Sequence, residues 1–322
     1  MNFFQRLSPT AKRALAASVV ALGLHLAGSL LIDGYGSAFT LRSMLVLATF
    51  VAVASIGQTL VILLGGIDLS IPFVIGFANV VAAQLYGYGL SFGLVCVIVA
   101  VLATGIGAFN GIVSSSLSIH PLIVTLGVGT TIQGVVLLWT GGLPTGSAPD
   151  FLTEFVSIGG HVGPIPSPWL VPSFAVLAIL IVVGLARAPF GRRLYALGSN
   201  PTAAPLALIS PTATWTITFA VSALFAALAG VLLLGFTGSA YADVGQPYLF
   251  QTIAAVVIGG TTLVGGRGGL VGTIAGAVVL IEINTLLIGL GLSPSAVEAA
   301  LGGVIILLVS LYGREPHVRT TI

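Results

Sequence analysis

Ten apolar runs succeed one another along this chain, and almost no charge interrupts them. They fall near residues 14–32, 43–64, 71–88, 90–113, 121–140, 169–186, 212–236, 249–264, 270–290 and 296–312. A bilayer-crossing helix needs about 20 mostly apolar residues, at a rise of about 1.5 Å each. Only 6% of the chain is charged, against about 25% in soluble domains. So few charges cannot clothe a water-exposed surface, so lipid is the solvent for most of this protein. The expected fold is an all-α polytopic membrane protein of about ten transmembrane helices. No long polar segment divides it, so residues 1–322 are expected to form one domain. The remaining function classes are moving, sensing or cutting something within a membrane.

Charge placement predicts the orientation. Arg6, Lys12 and Arg13 precede the first run, and Arg187, Arg192 and Arg193 come after the sixth. Arg267 comes after the eighth, and Arg314 and Arg319 after the tenth. With an even number of spans all of these share one side, and only Arg42 falls on the other. The positive-inside rule makes the shared side cytoplasmic, with both termini there. The first run is longer than a signal-peptide core and lacks a clear cleavage site, so a retained span is expected. Runs 71–88 and 249–264 are short or glycine-interrupted, so re-entrant or broken helices are expected there. Pairs such as Gly107/Gly111 and Gly272/Gly276 predict close helix packing.

Two loops stand out. The outer loop, about 141–168, carries Pro144, Pro149, Pro164, Pro166 and Pro168, which argue against a long helix. It is either a docking surface or a plain connector. The inner loop, about 187–211, contains Asn200-Pro201, a helix-start signal, so a short helix is expected from Pro201. Pro205 then keeps that helix very short or bends it.

The residues of an enzyme are missing. His25, His120, His161 and His317 are scattered and form no metal-binding motif. Asp68 has no aspartate partner inside a span, as a membrane aspartyl protease would need. The glycine-rich stretch 259–269 lacks the G-K-[ST] ending that holds phosphate and Mg²⁺, and reads as a turn. No enzyme activity and no cofactor are expected in this chain. Cys96 is the single cysteine, so no disulfide forms within the chain. The net charge of +2 is too small to point to nucleic acid, and no such partner is expected. Glu282, in a span with Asn284 nearby, is either a proton-coupling group or a hydrogen-bond partner of a neighbouring helix; the second is favoured.

What remains is a path for a polar solute. Gln58, Asn79, Asn110, Thr125 and Gln133 are candidate lining residues, with Gln84, Thr130, Thr131 and Asn284 beside them. Each would leave a polar group unsatisfied in lipid, so each faces another helix or a cavity. As neutral hydrogen-bonding groups they suit a hydroxylated solute better than an ion.

Four blocks carry a resemblance. Residues 56–70 (IGQTLVILLGGIDLS), 120–134 (HPLIVTLGVGTTIQG), 191–204 (GRRLYALGSNPTAA) and 253–269 (IAAVVIGGTTLVGGRGG) resemble, in order, the ribose/xylose-type sugar permeases of bacterial ABC importers. The resemblance covers nearly the whole chain. It implies a type II-like permease fold in the inner membrane, paired with a second permease as a homodimer or heterodimer. It also implies cytoplasmic ATPase subunits that bind ATP and Mg²⁺, and a periplasmic sugar-binding protein. Gly198, Asn200, Pro201, Ala203 and Ala204 would form the segment that docks on the ATPase. Two departures stand out. The family continues after Ala203-Ala204 with a basic residue, a small residue and Gly-Ile, whereas here Pro205 is added and Leu208 replaces the glycine. After residues 66–70 the family's Val-Gly-Ser is replaced by Ile71-Pro72-Phe73. A branched-chain amino-acid or nucleoside permease of the same superfamily would share the fold and most of these motifs.

Overall fold

The computed structural model describes residues 9–163, 165 and 168–312. Both termini, with Arg6, His317, Arg314 and Arg319, and Pro164 and Pro166 of the outer loop, lie outside the described residues. Twelve α-helices form among the described residues: α1 (Pro9–Leu31), α2 (Ala38–Leu63), α3 (Ile71–Gly87), α4 (Phe92–Ser116), α5 (Pro121–Trp139), α6 (Asp150–Val156), α7 (Leu170–Arg187), α8 (Pro189–Ser199), α9 (Pro211–Thr237), α10 (Tyr248–Ile258), α11 (Leu270–Gly289) and α12 (Pro294–Tyr312). Two single 3₁₀ turns, Ala204–Ala207 and Ala242–Gly245, complete the regular structure, with no strand among the described residues.

Every apolar run has become a helix, and seven of the helices are long and apolar enough to cross a membrane. The protein is therefore an all-helical, multi-pass membrane protein. Local signals set several boundaries. Ser37 Oγ accepts from the Thr40 N–H at 3.2 Å, and Ser210 Oγ from the Ala213 N–H at 3.3 Å, opening α2 and α9. Proline stands in the first turn of α3, α5, α8 and α9, where its missing N–H costs no helical bond.

Helices α2, α3 and α9 form the centre. Their buried faces include Phe50, Ile56, Ile75, Phe219 and Leu234. Around them, α1, α4, α5, α7 and α12 turn large apolar side chains outward, among them Val19, Leu30, Leu138, Leu180 and Ile306. Apolar exposure on this scale marks a lipid-facing surface. The expected glycine seam is real: the backbones of Gly107 and Gly111 on α4 lie so close to Phe219, Trp215 and Thr216 of α9 that any Cβ would collide. Close backbone approach gains dispersion contacts that lipid cannot match.

Among the described residues, the basic side chains other than Arg42 gather at one end. Arg13 donates to the Gly260 carbonyl at 2.9 Å, and the Tyr195 hydroxyl donates to the Gly268 carbonyl at 3.0 Å. Those contacts bring the start of α1, the loop 259–269 and α8, with exposed Arg187, Arg192 and Arg193 beside it, to one end of the bundle. Helix α2 runs from the opposite end to Leu63, whose carbonyl accepts from Gly266 N–H at 2.9 Å. At the far end the loops 141–149 and 238–247 hold each other: Ala148 N–H donates to Gly238 at 3.1 Å and Ala240 N–H to Gly146 at 3.2 Å.

The two short runs behave as their length dictates. Helix α10 has 11 residues, about 16 Å, roughly half the hydrocarbon thickness. The chain then turns through the loop 259–269, whose first four residues are buried. That loop satisfies itself: Thr262 N–H donates to the Arg267 carbonyl at 3.0 Å and Gly269 N–H to Thr261 Oγ1 at 3.2 Å. Helix α3 has 17 residues because it starts inside the bundle. After α2 the chain dips along α9, with Gly66 against the Trp215 ring and Asp68 level with Ser222, two turns deeper.

Candidate functional site

A helix that begins inside a membrane protein exposes free N–H groups and the positive end of its dipole to a dry interior. Asp68 answers this at the start of α3. Its Oδ1 accepts from the Ser70 N–H at 2.9 Å and from the Ser70 hydroxyl. Its Oδ2 accepts from the Ser222 hydroxyl of α9 at 2.8 Å. Asn110 Nδ2 of α4 donates to Ser70 Oγ at 3.0 Å, and Gln58 Oε1 of α2 accepts from the Asp68 N–H at 3.3 Å. Thr125 Oγ1 of α5 accepts from the Leu69 N–H at 3.0 Å. One short turn, residues 64–70, is thus tied to four helices through the Asp68 carboxylate, two backbone N–H groups and the Ser70 hydroxyl. Each side chain of this knot is at most 3% exposed, which leaves a solute no surface to touch.

Asn79 has a parallel task at the other end. Its Oδ1 accepts from Tyr241 N–H at 2.8 Å and its Nδ2 donates to the Gly230 carbonyl at 3.4 Å. That fixes the loop 238–247 over α3. Of the five lining candidates expected from the sequence, Gln58, Asn79, Asn110 and Thr125 are fully buried and bound to the protein. Gln133 differs. It is half-buried on α5, and its Nε2 donates to the exposed carboxylate of Asp243 at 2.7 Å. Thr130 and Thr131 are exposed one turn earlier on the same helix, their hydroxyls bonded back to α5 carbonyls. This gives one polar stripe on the outside of an otherwise apolar bundle.

The inner end carries the second candidate site. The short helix expected from Pro201 does not form; helix α8 ends at Ser199 and Asn200 caps the next turn. Asn200 Oδ1 accepts from Thr202 N–H at 3.1 Å and Ala203 N–H at 2.9 Å, and Pro205 limits the next element to the single 3₁₀ turn. The capping signal acts at Asn200 as expected, but Pro205 stops an α-helix before its first full turn. Helix α8 itself is hidden in the sequence, because its inward residues Gly191, Leu194 and Leu197 are split by Arg192 and Arg193.

Gly198 lies where a Cβ would strike the Leu63 carbonyl and Gly266, so α8 seats directly on two backbones. Burial pushes the ionisation of Tyr195 up, keeping its hydroxyl a donor to Gly268. Ala204 turns inward onto the cluster of Leu60, Leu63, Leu64, Leu194 and Leu197, while Asn200, Pro201 and Ala203 face out. Leu206 is 87% exposed and Leu208 is 96% exposed. Leu208 also holds the left-handed backbone at φ +59°, which costs a branched side chain about 1–2 kcal/mol and glycine little. This is the position where the resemblance leads one to expect glycine.

Glu282 on α11 is buried and joins α1: it accepts from Tyr35 Oη at 2.8 Å and lies 3.1 Å from His25 Nδ1. It therefore acts as the expected interhelical partner. Among the described residues no group of three or more His, Cys, Asp or Glu side chains is arranged to hold a metal ion.

Comparison with known proteins gives a consistent picture. The family described as branched-chain amino acid transport system, permease component, matches residues 40–310. The ribose import permease protein RbsC of Haemophilus influenzae is 36% identical over 239 residues, covering 73% of each chain. The fructose import permease protein FrcC of Rhizobium meliloti is 30% identical over 97% of this chain and 87% of its own. The autoinducer 2 import system permease protein LsrC of Klebsiella pneumoniae is 32% identical over 86% of this chain and 79% of its own. No solved structure matches the chain.

Proposed function

The chain belongs to the permease-component family of the branched-chain amino acid type of transport system, and on that premise we propose that it forms half of the passage of an ATP-driven importer for a monosaccharide or similar polyol. Three relatives carry import names for ribose, fructose and autoinducer 2, which supports a small hydroxylated solute. The proposal includes ten crossings, both termini in the cytoplasm of a bacterial inner membrane, a cytoplasmic ATPase and a periplasmic binding protein. ATP and Mg²⁺ belong to the ATPase.

One observation carries the path's location: the Gln133–Asp243 pair, with Thr130 and Thr131, lies on the outside of the protomer. The pair satisfies only one amide N–H and one carboxylate oxygen, and in lipid the remaining lone pairs and N–H would lose their bonds to water, at about 2–7 kcal/mol for an uncompensated polar group. A second permease facing this stripe across a wet gap removes the cost. The passage then lies between two permeases, and the buried knot at Asp68 sits behind its wall.

The coupling site is the tip of residues 200–209. It offers Ala203, Leu206 and Leu208 as apolar contacts, and the basic residues of α8 flank it. Ala203→Asp puts an unpaired charge into that contact, and the expected result is loss of ATPase association with normal membrane insertion. Co-purification with the ATPase subunit measures it. Uptake of labelled D-ribose and of L-leucine into proteoliposomes holding the whole transporter separates the sugar reading from the amino-acid reading of the same family. Uptake that persists without the ATPase and tracks a proton gradient would overturn the proposal.

A further inference from the structure

A cavity of about 660 Å³ opens between α10, α11 and α12, within the range of about 300–1,000 Å³ typical of small-ligand clefts. Three helices bring one hydrogen-bonding side chain each to its lining. Gln251 stands three residues past Tyr248 at the start of α10. Glu298 stands four past Pro294 at the start of α12, and Asn284 five before Gly289 at the end of α11. At about 1.5 Å per residue, Glu298 and Asn284 lie about 6–8 Å from the outer ends of α12 and α11, while Gln251 lies deeper, on a helix that begins inside the bundle where Gly245 packs against Pro72. Gln246 adds a fourth group at the rim.

None of these four side chains has a hydrogen-bond partner among the described residues. Gln58 and Asn110, by contrast, are sealed inside the bundle with one buried atom each unpaired, whereas these four open onto the cavity, with Gln246 and Glu298 exposed. Four unmatched polar groups on a lipid-filled groove would be costly, whereas four convergent groups around a hydroxylated guest would be satisfied. The rest of the lining is apolar, with Ala254, Leu280 and Leu301 as floor and the exposed Phe250 ring at the side. A carboxylate and two amides match the alternating donors and acceptors of a sugar, and an apolar floor with an aromatic ring matches its C–H face.

The cavity also joins the outer polar stripe. Gln246 N–H donates to the Asp243 carbonyl at 3.0 Å, so the rim of the cavity and the Gln133–Asp243 pair share one turn.

We infer that this cavity is a low-affinity binding site for a neutral polyhydroxylated solute along the outer half of the passage, with Gln251, Asn284 and Glu298 as its hydrogen-bonding residues. The inference rests on the import reading and adds a defined site to it.

The test uses the whole transporter in proteoliposomes, with Cys96→Ser removing the single native thiol. Gln251→Cys and Asn284→Cys are exposed to a membrane-impermeant sulfonate thiol reagent from the outer side. The expected result is modification that D-ribose or D-fructose slows several-fold and that L-leucine does not. Modification by a lipid-soluble maleimide alone would show a lipid-filled groove and overturn the site. So would reaction at an unchanged rate with either sugar. In parallel, the double variant Gln251→Leu, Asn284→Leu should lower sugar uptake about tenfold, with ATPase association unchanged. If the unaltered transporter needs its ATPase and this variant still transports normally, the site fails while the import reading stands. If uptake needs no ATPase, the import reading fails and thiol protection decides the site.

Discussion

The knot at Asp68 and the stripe at Gln133 use the same chemistry to opposite ends. Both pair a carboxylate in a connecting turn with a side-chain amide on an apolar helix. At Asp68 every element closes inward: α2, α4, α5 and α9 each supply a group, and nothing reaches the surface. At Gln133 the pair is made by one helix and one loop and leaves both side chains in view of the outside. A polar residue in a membrane span therefore does not mark a path by its presence. What marks a path is a polar group held at the surface, where a solute can reach it.

The sharpest way to break this comparison is Asp68→Leu. It leaves the Ser70 N–H, the Ser70 hydroxyl and the Ser222 hydroxyl unpaired in a dry interior, at about 1–3 kcal/mol each. Loss of folded protein on size-exclusion chromatography is expected. A well-folded variant that fails only in transport would move the knot into the transport machinery. Next in size is Gln133→Leu. Folding and ATPase association should stay normal while uptake falls about tenfold, because on the proposed function a hydrogen-bonding site on the passage wall is lost. If it instead misfolds like the Asp68 variant, the stripe is structural too.

Glu282→Gln is the intermediate case and the smallest effect. The amide keeps an acceptor for Tyr35 and weakens only the His25 contact, so a melting shift equivalent to about 1 kcal/mol or less is expected, with normal uptake. Complete loss of uptake in a well-assembled transporter would make Glu282 a proton-coupling group.

Much of this architecture is legible in the chain. Lipid as solvent forces apolar runs into helices, so all ten runs mark helix positions to within a few residues, except where 249–264 ends early in its glycines. Small residues at i and i+4 announce the Gly107/Gly111 seam with α9. The amphipathic α8 is not legible, because its charge and shortness hide it between two spans. The role of the in-span polar residues is not legible either. Asp68 and Ser222 lie 154 positions apart, and only tertiary packing reveals that they meet. The cavity between α10, α11 and α12 depends on three side chains converging from three helices, which no local pattern encodes. The departure at Leu208 is visible in the residue order, while its cost becomes visible only with the backbone angle.

Helix α8 is pinned along one flank, at Gly198 to Leu63 and Gly266 and at Tyr195 to Gly268, while residues 200–208 overhang on the other. A body held along one line and pushed beyond it turns like a crank. Any load on the overhang reaches the end of α2 and the loop before α11 as a single torque, since the 2.9 Å bond between Leu63 and Gly266 couples them. On the proposed coupling role, a single push on the overhang would move the end of α2 and the loop before α11 together, and anything wedged beneath α8 would hold both still.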